Sequence, residues 1–335
     1  MTRTRTHRLA ARSAAALLTC AAGLAAAAGQ AAATYQGLCD ASAAEALDAR
    51  HFAVAGDEDN TLRVFRRGEP KAVAQWPMAG FLGTGKKESD IEGAAVVGRR
   101  IYWIASHGRN KDGKPRPDRH RFFATDIVAP PASAASAPPS LVPAGAPYLG
   151  LLDDLLAAPG LQRFKLAEAA RLAPEAPGGL NIEGLAARPG GGLWIGLRNP
   201  IPNGQALLVP LLNPDDVLAG RPARIGEPLL LGLRQRGVRS IERVGDVYWI
   251  VAGPTADRGA FSLYRWSGQP GDAPVLADGS ALAGLRPEAL FAWPDGRLQI
   301  LSDDGGVETA GIACKDRPAA QQAFRSAELP PAAAR

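Results

Sequence analysis

A degenerate repeat along most of the chain constrains its fold more than any other feature. The clearest copy, NIEGLAARPGGGLWIGLRNP at 181–200, has a polar opening, an apolar run, a Gly-rich turn, a second apolar run and a polar close. A second copy, DIEGAAVVGRRIYWIASHGRN, occupies 90–110. Further copies lie at 239–254, at 286–306 and, more weakly, at 41–60. Repetition of a unit this small indicates modules that pack side by side.

Each copy predicts a β-hairpin, and more strand-like segments follow most of the hairpins. The turns contain Gly-Gly or Pro-Asp-Gly, which supply the backbone geometry of tight turns. Apolar segments then follow at RFFATDIV (121–128), ALLVPLL (206–212) and FSLYRWSG (261–268). Three or four antiparallel strands every 40–50 residues or so are typical of propeller blades. We therefore predict an all-β fold, a β-propeller of five or six blades.

The spacing of the copies leaves the number of blades open. The step from the opening Glu92 to the opening Glu183 is longer than any other, so it holds either a blade with a lost signature or one blade with an insertion. Within it, 129–147 is rich in Ala, Pro and Ser and predicts an exposed loop. The segments 149–158 and 164–172 have helical spacing of apolar residues. They predict a short helical insertion around residues 149–172, outside the propeller or over one face.

The beginning of the chain has the pattern of an export signal. Four arginines precede an apolar, alanine-rich run at 14–28, and Ala31-Ala32-Ala33 resembles a signal-peptidase site. We predict a signal peptide at 1–33, a single propeller domain at 34–326 and a disordered tail at 327–335. The mature protein would be periplasmic or extracellular, with no membrane span after cleavage, because the apolar run is short for a span.

Removal of this leader changes the charge of the chain. The whole sequence has 38 Lys+Arg against 33 Asp+Glu, and the leader contains four of the arginines and no acid. The remainder is therefore almost neutral. It has no basic segment with interleaved aromatic residues, so nucleic acid is not an expected partner.

Two of the three cysteines, Cys39 and Cys314, lie outside the leader, at opposite ends of the repeat region. Cysteines of an exported protein commonly form disulfides because the compartment is oxidising. We predict a Cys39–Cys314 disulfide that joins the first repeat to the last. Two unrelated buried thiols are the alternative.

The polar residues of each copy should meet on one face of the propeller. Adjacent strands of a hairpin run antiparallel, so the close of the second strand lies beside the opening of the first. The first strand of a blade lines the central channel, so the opening glutamates would face one another around the axis. These are Glu92, Glu183, Glu242 and Glu288, with Ser42 at this position in the first copy. The closing clusters add Asp57, Asp59, Asn60, Asn110, Asn199 and Asp304 to the polar face.

Several carboxylates around a narrow channel repel one another, so a compensating charge is expected. Hard cations such as Ca²⁺ or Mg²⁺ take oxygen ligands and would supply it. The predicted ligands are Asp90, Glu92, Asn181, Glu183, Glu242 and Glu288. The alternative is internal ion pairing with Arg198, Arg239 and Arg286, since arginine pairs well with carboxylates.

Four further residues of this face are candidates for catalysis. Arg109 and Arg198 could hold an anionic group by two-pronged hydrogen bonds. His107 or Asp303 could move a proton, and the ordinary pKa of histidine suits work near neutral pH. The alternatives are that His107 only stabilises its own loop and that the arginines pair with the glutamates.

A set of short motifs spread over the chain resembles a known family. They are CDAS (39–42), GDEDN (56–60), ESDIEG (88–93), YWIASHGRN (102–110), NIEGL (181–185), GLRNP (196–200), RSIE (239–242), YRWSG (264–268) and LSDDG (301–305). This set resembles the secreted bacterial "domain of unknown function 3616" family, which implies a propeller-like fold. The Glu-Gly openings are more distantly similar to phytase-like esterase propellers, which implies ester or phosphoester hydrolysis. Ser42 in place of a glutamate departs from a symmetric ring.

Two functions fit these observations. The first is a metal-assisted hydrolase of phosphoesters or related esters, with a small anionic or ester substrate and Ca²⁺ or Mg²⁺ as cofactor. The second is a non-catalytic propeller that uses the same face to bind an envelope ligand or a protein. If the glutamates are catalytic rather than structural, Glu183→Gln should abolish activity with little loss of folding.

Overall fold

The computed structural model describes residues 1–2, 33–256 and 258–330. The predicted signal peptide therefore lies outside the described residues except at its edges, and so does the last part of the predicted tail, 331–335. Within the described chain, no helix is long and apolar enough to cross a membrane. The disulfide described below agrees with an exported protein.

The chain begins with a single strand, β1 (Ala33–Gln36), and then forms four sheets of four consecutive antiparallel strands. Blade 1 contains β2 (Ala43–Ala46), β3 (His51–Ala55), β4 (Thr61–Arg66) and β5 (Ala72–Pro77). Blade 2 contains β6 (Ile91–Val97), β7 (Arg100–Ala105), β8 (Phe122–Val128) and β9 (Ser140–Tyr148). Blade 3 contains β10 (Asn181–Ala187), β11 (Leu193–Asn199), β12 (Ala206–Leu211) and β13 (Leu229–Leu231). Blade 4 contains β14 (Gly237–Val244), β15 (Val247–Gly253), β16 (Ser262–Trp266) and β17 (Val275–Leu276).

Blade 5 closes the ring because it combines strands from both ends of the chain. It contains β18 (Pro287–Ala292), β19 (Leu298–Ser302) and β22 (Ala323–Leu329), and β1 is its fourth, outermost strand. A small hairpin of β20 (Glu308–Thr309) and β21 (Ile312–Ala313) lies between β19 and β22. The propeller therefore has five blades. Because β22 continues to Leu329, residues 327–329 of the predicted disordered tail are part of a strand.

The closure is held by a covalent bond and by aromatic packing. Cys39 and Cys314 form the predicted disulfide, with their Cα atoms 5.9 Å apart. On β1, Tyr35 is buried and stacks on Phe324 of β22, with ring centroids 5.3 Å apart. Tyr35 also meets Phe52 of blade 1 edge-on at 5.1 Å. The first strand thus joins the apolar layer between the first and last blades.

The long step between copies is one blade followed by an insertion. Four short α-helices occur in the described chain: α1 (Ala79–Leu82), α2 (Leu151–Ala157), α3 (Leu166–Ala169) and α4 (Pro214–Leu218). Helices α2 and α3 form the predicted insertion, and their leucines, such as Leu151 and Leu155, are buried in the core shared by blades 2 and 3. The exposed loop predicted at 129–147 is wrong in its second half, where β9 forms the outer strand of blade 2. An outer strand has one free edge, so it tolerates Pro143 and Pro147.

The inner strands approach one another closely around the axis. A Cβ on Gly93 of β6 would lie 3.2 Å from the carbonyl oxygen of Glu183, and one on Gly184 of β10 would lie 2.7 Å from Val238 Cγ1. A side chain at either position would force the strands apart. This close approach explains the Glu-Gly pairs that open two of the copies.

Candidate functional site

A β-bulge at the beginning of each of four inner strands sets the positions of the axial side chains. The pairing register shifts between Ile91 and Gly93, between Ile182 and Gly184, between Val238 and Ser240 and between Pro287 and Ala289. The residues inside these shifts are Glu92, Glu183, Arg239 and Glu288. In blade 1, Ser42 comes immediately before β2, and its N–H donates to the carbonyl oxygen of Ala55. A bulge re-aims one side chain while the strand continues, so these five positions form a ring at one end of the channel.

The ring corrects the expectation that Glu242 faces the other opening glutamates. Arg239 takes that position in blade 4, and Glu242 lies three residues further along β14, opposite Trp249 of β15. The motif RSIE therefore aligns with the other copies through its arginine and not through its glutamate. The chemical result is large, because one position of the ring carries a positive charge instead of a negative one.

Arg239 and Arg198 neutralise the centre of the ring. Arg239 Nε lies 2.9 Å from Glu183 Oε2, as an ion pair without the alignment of a hydrogen bond, and Arg239 Nη2 contacts Glu288 Oε1. Arg198 Nη1 donates to Glu183 Oε1 at 3.0 Å. Ser42 Oγ lies 3.5 Å from Glu288 Oε2. Ion pairing, the alternative to a cation in the sequence analysis, is therefore what the structure shows for Glu183 and Glu288.

Deeper in the channel, two more glutamates repeat one arrangement. Glu45 Oε1 accepts the N–H of Val96 on the next inner strand at 3.1 Å, and Glu242 lies close to the N–H of Ala292 on the inner strand that follows its own. Burial raises the pKa of Glu242 to about 8. Burial, and then the proximity of Glu242, raise the pKa of Glu45 well above its ordinary value. Both carboxyl groups are therefore expected to keep a proton in the folded protein near neutral pH.

Glu242→Gln is expected to flatten the pH dependence of stability. The folded protein retains a proton on Glu242 between the ordinary pKa near 4.5 and about 8. The free energy of unfolding therefore has its full contribution from Glu242 below the ordinary pKa. It falls by up to about 1.4 kcal/mol per pH unit as the pH rises from there to about 8. Glutamine stays neutral, so denaturant unfolding at pH 5 and pH 8 should differ less for the variant. An unchanged difference would show that Glu242 is ionised in the folded state.

The bulge ring opens into a central cavity of ≈ 620 Å³, which is lined mainly by charged side chains. The carboxylates concentrate on blades 1 and 2 and on the loop after β19. The arginines concentrate on blades 3, 4 and 5. Polar groups that converge on one concave site from separate blades are the usual arrangement of a binding or active site.

One group of carboxylates on this wall lacks a full set of partners. Asp57, Asp90 and Glu92, which we call the acidic cluster, each offer an oxygen within 4.8 Å of the others. Glu92 is only 8% exposed and makes no hydrogen bond or ion pair with any described residue. Asp57 Oδ1 is buried without a hydrogen-bond partner in the described chain. Only Asp90 is compensated, by Arg119 Nη1 at 2.8 Å.

Burial and crowding raise the pKa values of all three carboxyl groups in the acidic cluster. Burial raises the pKa of Asp57 well above its ordinary value, and neighbouring carboxylates, with Asp40 first, add to the effect. Burial and then Glu183 raise the pKa of Glu92 in the same way. Burial also raises the pKa of Asp90, although Arg119 opposes it. Without a cation, the cluster is therefore expected to hold protons that a bound cation would displace.

Asn181 adds a neutral oxygen to the same cavity. It is 4% exposed, and its Nδ2 donates to Glu183 Oε1 at 2.8 Å. This bond fixes the amide, so Oδ1 is left as an acceptor without a partner in the described residues. Amide oxygens are ordinary ligands of Ca²⁺. Of the six predicted ligands, Asp90, Glu92, Asn181 and Glu288 line the cavity, and Glu288 is already paired with Arg239.

Asp303 lines the cavity beside the acidic cluster. Its Oδ1 accepts the N–H of Gly305 at 2.8 Å, and Asp40 lies opposite it in an isolated β-bridge. Burial and then the hydrogen bond with Asp303 raise the pKa of Asp40 to about 9. Asp40 also belongs to a second group of three acids, with Asp57 and Glu58, whose oxygens lie within 4.8 Å of one another. Asp40 was not among the residues predicted for the polar face, because it precedes the first copy of the repeat.

His107 and Arg109 lie away from the cavity. His107 is 2% exposed, hydrogen bonds the carbonyl oxygen of Ala105 through Nδ1 at 2.7 Å and stacks on His120. Burial lowers its pKa to about 3, so it is expected to be neutral. Arg109 donates to the carbonyl oxygens of Ala170 and Gly113. Both side chains stabilise the loop after β7, so neither is in position for the catalytic role that the sequence suggested.

The other residues predicted on the polar face divide in two. Asp57 and Asn110 line the cavity. Four are engaged in local structure, because the loops after the second strands of the blades need partners for their backbone groups. Asp59 pairs with Arg63, Asn60 binds Ser89 and Lys87, Asn199 donates to the carbonyl oxygens of Pro174 and Ala176, and Asp304 anchors Arg325 of β22.

Comparison with known families identifies the middle of the chain. Residues 157–278 match the family described as "Protein of unknown function (DUF3616)". The resemblance to this family is therefore confirmed over that segment, which covers the end of the insertion and all strands of blades 3 and 4. The similarity to phytase-like esterase propellers stays a prediction. No curated protein matches the chain.

Solved structures with a similar arrangement include three propeller proteins. Glutaminyl cyclase of Myxococcus xanthus is 12% identical with a TM-score of 0.43, and the match covers 88% of this chain and 94% of the cyclase. The GH43_1 enzyme of Xanthomonas citri is 13% identical with a TM-score of 0.46 and coverage of 90% and 92%. Aldose sugar dehydrogenase of Streptomyces coelicolor, in its PQQ-bound form, is 12% identical with a TM-score of 0.42 and coverage of 88% and 96%.

Proposed function

We propose that the central cavity is the active site of a cation-dependent hydrolase of phosphoesters or related esters. One observation carries this proposal. Carboxylates without ion-pair partners, Asp57 and Glu92, share a cavity with Arg286, which makes no ion pair with any described carboxylate. Such a site can bind a cation and an anionic group next to each other, which is the arrangement that metal-assisted ester hydrolysis requires.

The acidic cluster and the Asn181 oxygen would hold the cation. All four donors are oxygens, so the set suits Ca²⁺ or Mg²⁺ rather than a soft metal. A divalent cation here would polarise an ester oxygen and lower the pKa of a bound water. Glu183 and Glu288 are not in this set, because Arg198 and Arg239 already neutralise them.

Asp303 is the candidate for moving the proton. Its Oδ1 is fixed by the Gly305 N–H, and its carboxylate stands on the cavity wall next to the acids of blades 1 and 2. A fixed carboxylate within reach of a substrate proton can act as a general base. This role passes to Asp303 alone, since His107 is buried outside the cavity.

The alternative is a non-catalytic propeller that binds an envelope ligand or a protein through the same face. The internal pairing of Arg198 and Arg239 with glutamates favours it, because these groups then shape the cavity and do not act on a substrate. Both functions require a ligand in the cavity, but only the hydrolase would convert it to a product.

Hydrolysis of chromogenic esters tests the proposal. The purified protein should hydrolyse p-nitrophenyl phosphate or p-nitrophenyl acetate with Ca²⁺ or Mg²⁺ and lose the activity on addition of a chelator. Glu92→Gln removes a cluster carboxylate that has no structural partner, so it should lower kcat/KM by roughly 100-fold with little change in melting temperature. Glu227→Gln, a change at an exposed carboxylate paired with Arg163, is the matched control. Absence of turnover with every ester and cation would contradict the hydrolase and favour the non-catalytic binding propeller.

A further inference from the structure

Most of the basic side chains that line the cavity are already committed to carboxylates. Arg198 and Arg239 are held by Glu183 and Glu288, as described above. Arg116 and Arg119 on the loop after β7 pair with Glu88. The arginines first considered for binding an anion, Arg109 and Arg198, are therefore engaged elsewhere.

Arg286 differs from these arginines. It precedes β18, and its backbone is fixed at both ends, because its N–H donates to Ser302 Oγ at 2.9 Å and its carbonyl accepts the N–H of Asp303 at 2.8 Å. Its guanidinium passes over Gly306, where a Cβ would lie 2.8 Å from Nη1. The glycine thus makes room for the arginine to extend along the cavity wall.

Two cavity acids next to Arg286 on β18 and on the loop after β19, Glu288 and Asp303, have other partners. Glu288 is bound by Arg239 and approached by Ser42, and Asp303 accepts the Gly305 N–H and lies against Asp40. Within residues 33–256 and 258–330, no carboxylate forms an ion pair with Arg286. Its five N–H donors are therefore available to a ligand in the cavity.

Arg258 provides a second guanidinium on the same side. It is exposed, it lines the cavity on the loop between β15 and β16, and it makes no ion pair with another described residue. Two guanidinium groups from adjacent blades can each present paired N–H donors to one anion. Tetrahedral phosphoryl oxygens match such donors from several directions.

We propose that Arg286 and Arg258 form an anion subsite that binds the phosphoryl group of a phosphate monoester. A dianion fits this subsite, because two guanidinium groups without carboxylate partners match its two negative charges, while a divalent cation on the acidic cluster would balance Asp57 and Glu92. This inference deepens the proposed function by naming its substrate class, and it rests on that function for turnover but not for binding.

Binding of phenylphosphonate, a dianion that cannot be hydrolysed, tests the subsite by calorimetry in the presence of Mg²⁺. Arg286→Gln should weaken binding by roughly ten- to hundredfold, since bonds to charged groups are among the stronger ones. Arg286→Lys should restore part of the loss, and Arg258→Gln, at an exposed position, should weaken binding without affecting folding. Arg163→Gln, on the exposed face of the insertion, is the matched control.

The outcomes separate the subsite from the proposed hydrolysis. Arg286-dependent binding of phenylphosphonate without hydrolysis of any ester would sustain the subsite and remove the proposed function. Hydrolysis of esters together with equal binding to wild type and Arg286→Gln would overturn the subsite alone. Benzoate that binds as tightly as phenylphosphonate, or no binding of either, would also overturn it.

Discussion

Replacement of Glu183 by glutamine is expected to lower the free energy of unfolding by about 3–5 kcal/mol, because it leaves two buried guanidinium groups without their shared counter-charge. Glu183 is 2% exposed, and its two oxygens meet Arg198 of β11 in the same blade and Arg239 of β14 in the next blade. The same carboxylate accepts the Asn181 amide. The effect is on folding as well as on any activity, contrary to the expectation from the sequence.

Thermal unfolding and denaturant titration measure this effect. For a chain of this size, such a loss corresponds to a fall in melting temperature of about 5–8 °C. Glu69→Gln is the matched control, because it breaks an exposed pair with Arg66 that should contribute at most about 1 kcal/mol. Equal melting temperatures for Glu183→Gln and the wild type would show that the buried pairs contribute nothing to stability.

Loss of the Cys39–Cys314 disulfide is expected to lower the free energy of unfolding by about 3–5 kcal/mol. The bond joins positions 275 residues apart, so it restricts almost the whole unfolded chain. In the chain-entropy description, longer loops give larger stabilisation. The disulfide also fixes the segment that leads into β22. This strand must pair with β1 to complete blade 5.

The double change Cys39→Ser and Cys314→Ser avoids a free thiol and should melt about 5–8 °C below the oxidised wild type. The wild type in a reducing buffer should have the same melting temperature as the double variant. Reductant should not change the melting temperature of the variant. Equal melting temperatures for oxidised and reduced wild type would mean that β1 and its aromatic contacts alone secure the closure.

The repeat predicted the propeller because each hairpin carries its own local signals. Apolar strands and Gly-containing turns depend only on neighbouring residues, so they can be recognised in one copy at a time. The pairing of β1 with β22 could not be recognised in this way. Its sequence, ATYQ, is short, and its strand character depends on the burial of Tyr35 against Phe324 at the far end of the chain.

The polar face was predicted for a sound geometric reason, but its charges were not. Antiparallel hairpins do bring Glu92 and Asp57 to one cavity. The bulge in β14 then places Arg239 where the alignment of RSIE had placed Glu242. Glu183 pairs with Arg198 of its own repeat, but the contacts of Arg239 with Glu183 and Glu288 reach across blades, and a single repeat contains no record of them.

The measurement that tests the account most directly is a calorimetric titration of the metal-free protein with Ca²⁺ and Mg²⁺. Elemental analysis of the saturated protein then gives the number of bound cations. We expect stoichiometric binding by the wild type and by Glu227→Gln, and its loss in Glu92→Gln. Cation binding that is equally strong in Glu92→Gln, or no binding of either cation at millimolar concentration, would contradict a cation site at the acidic cluster.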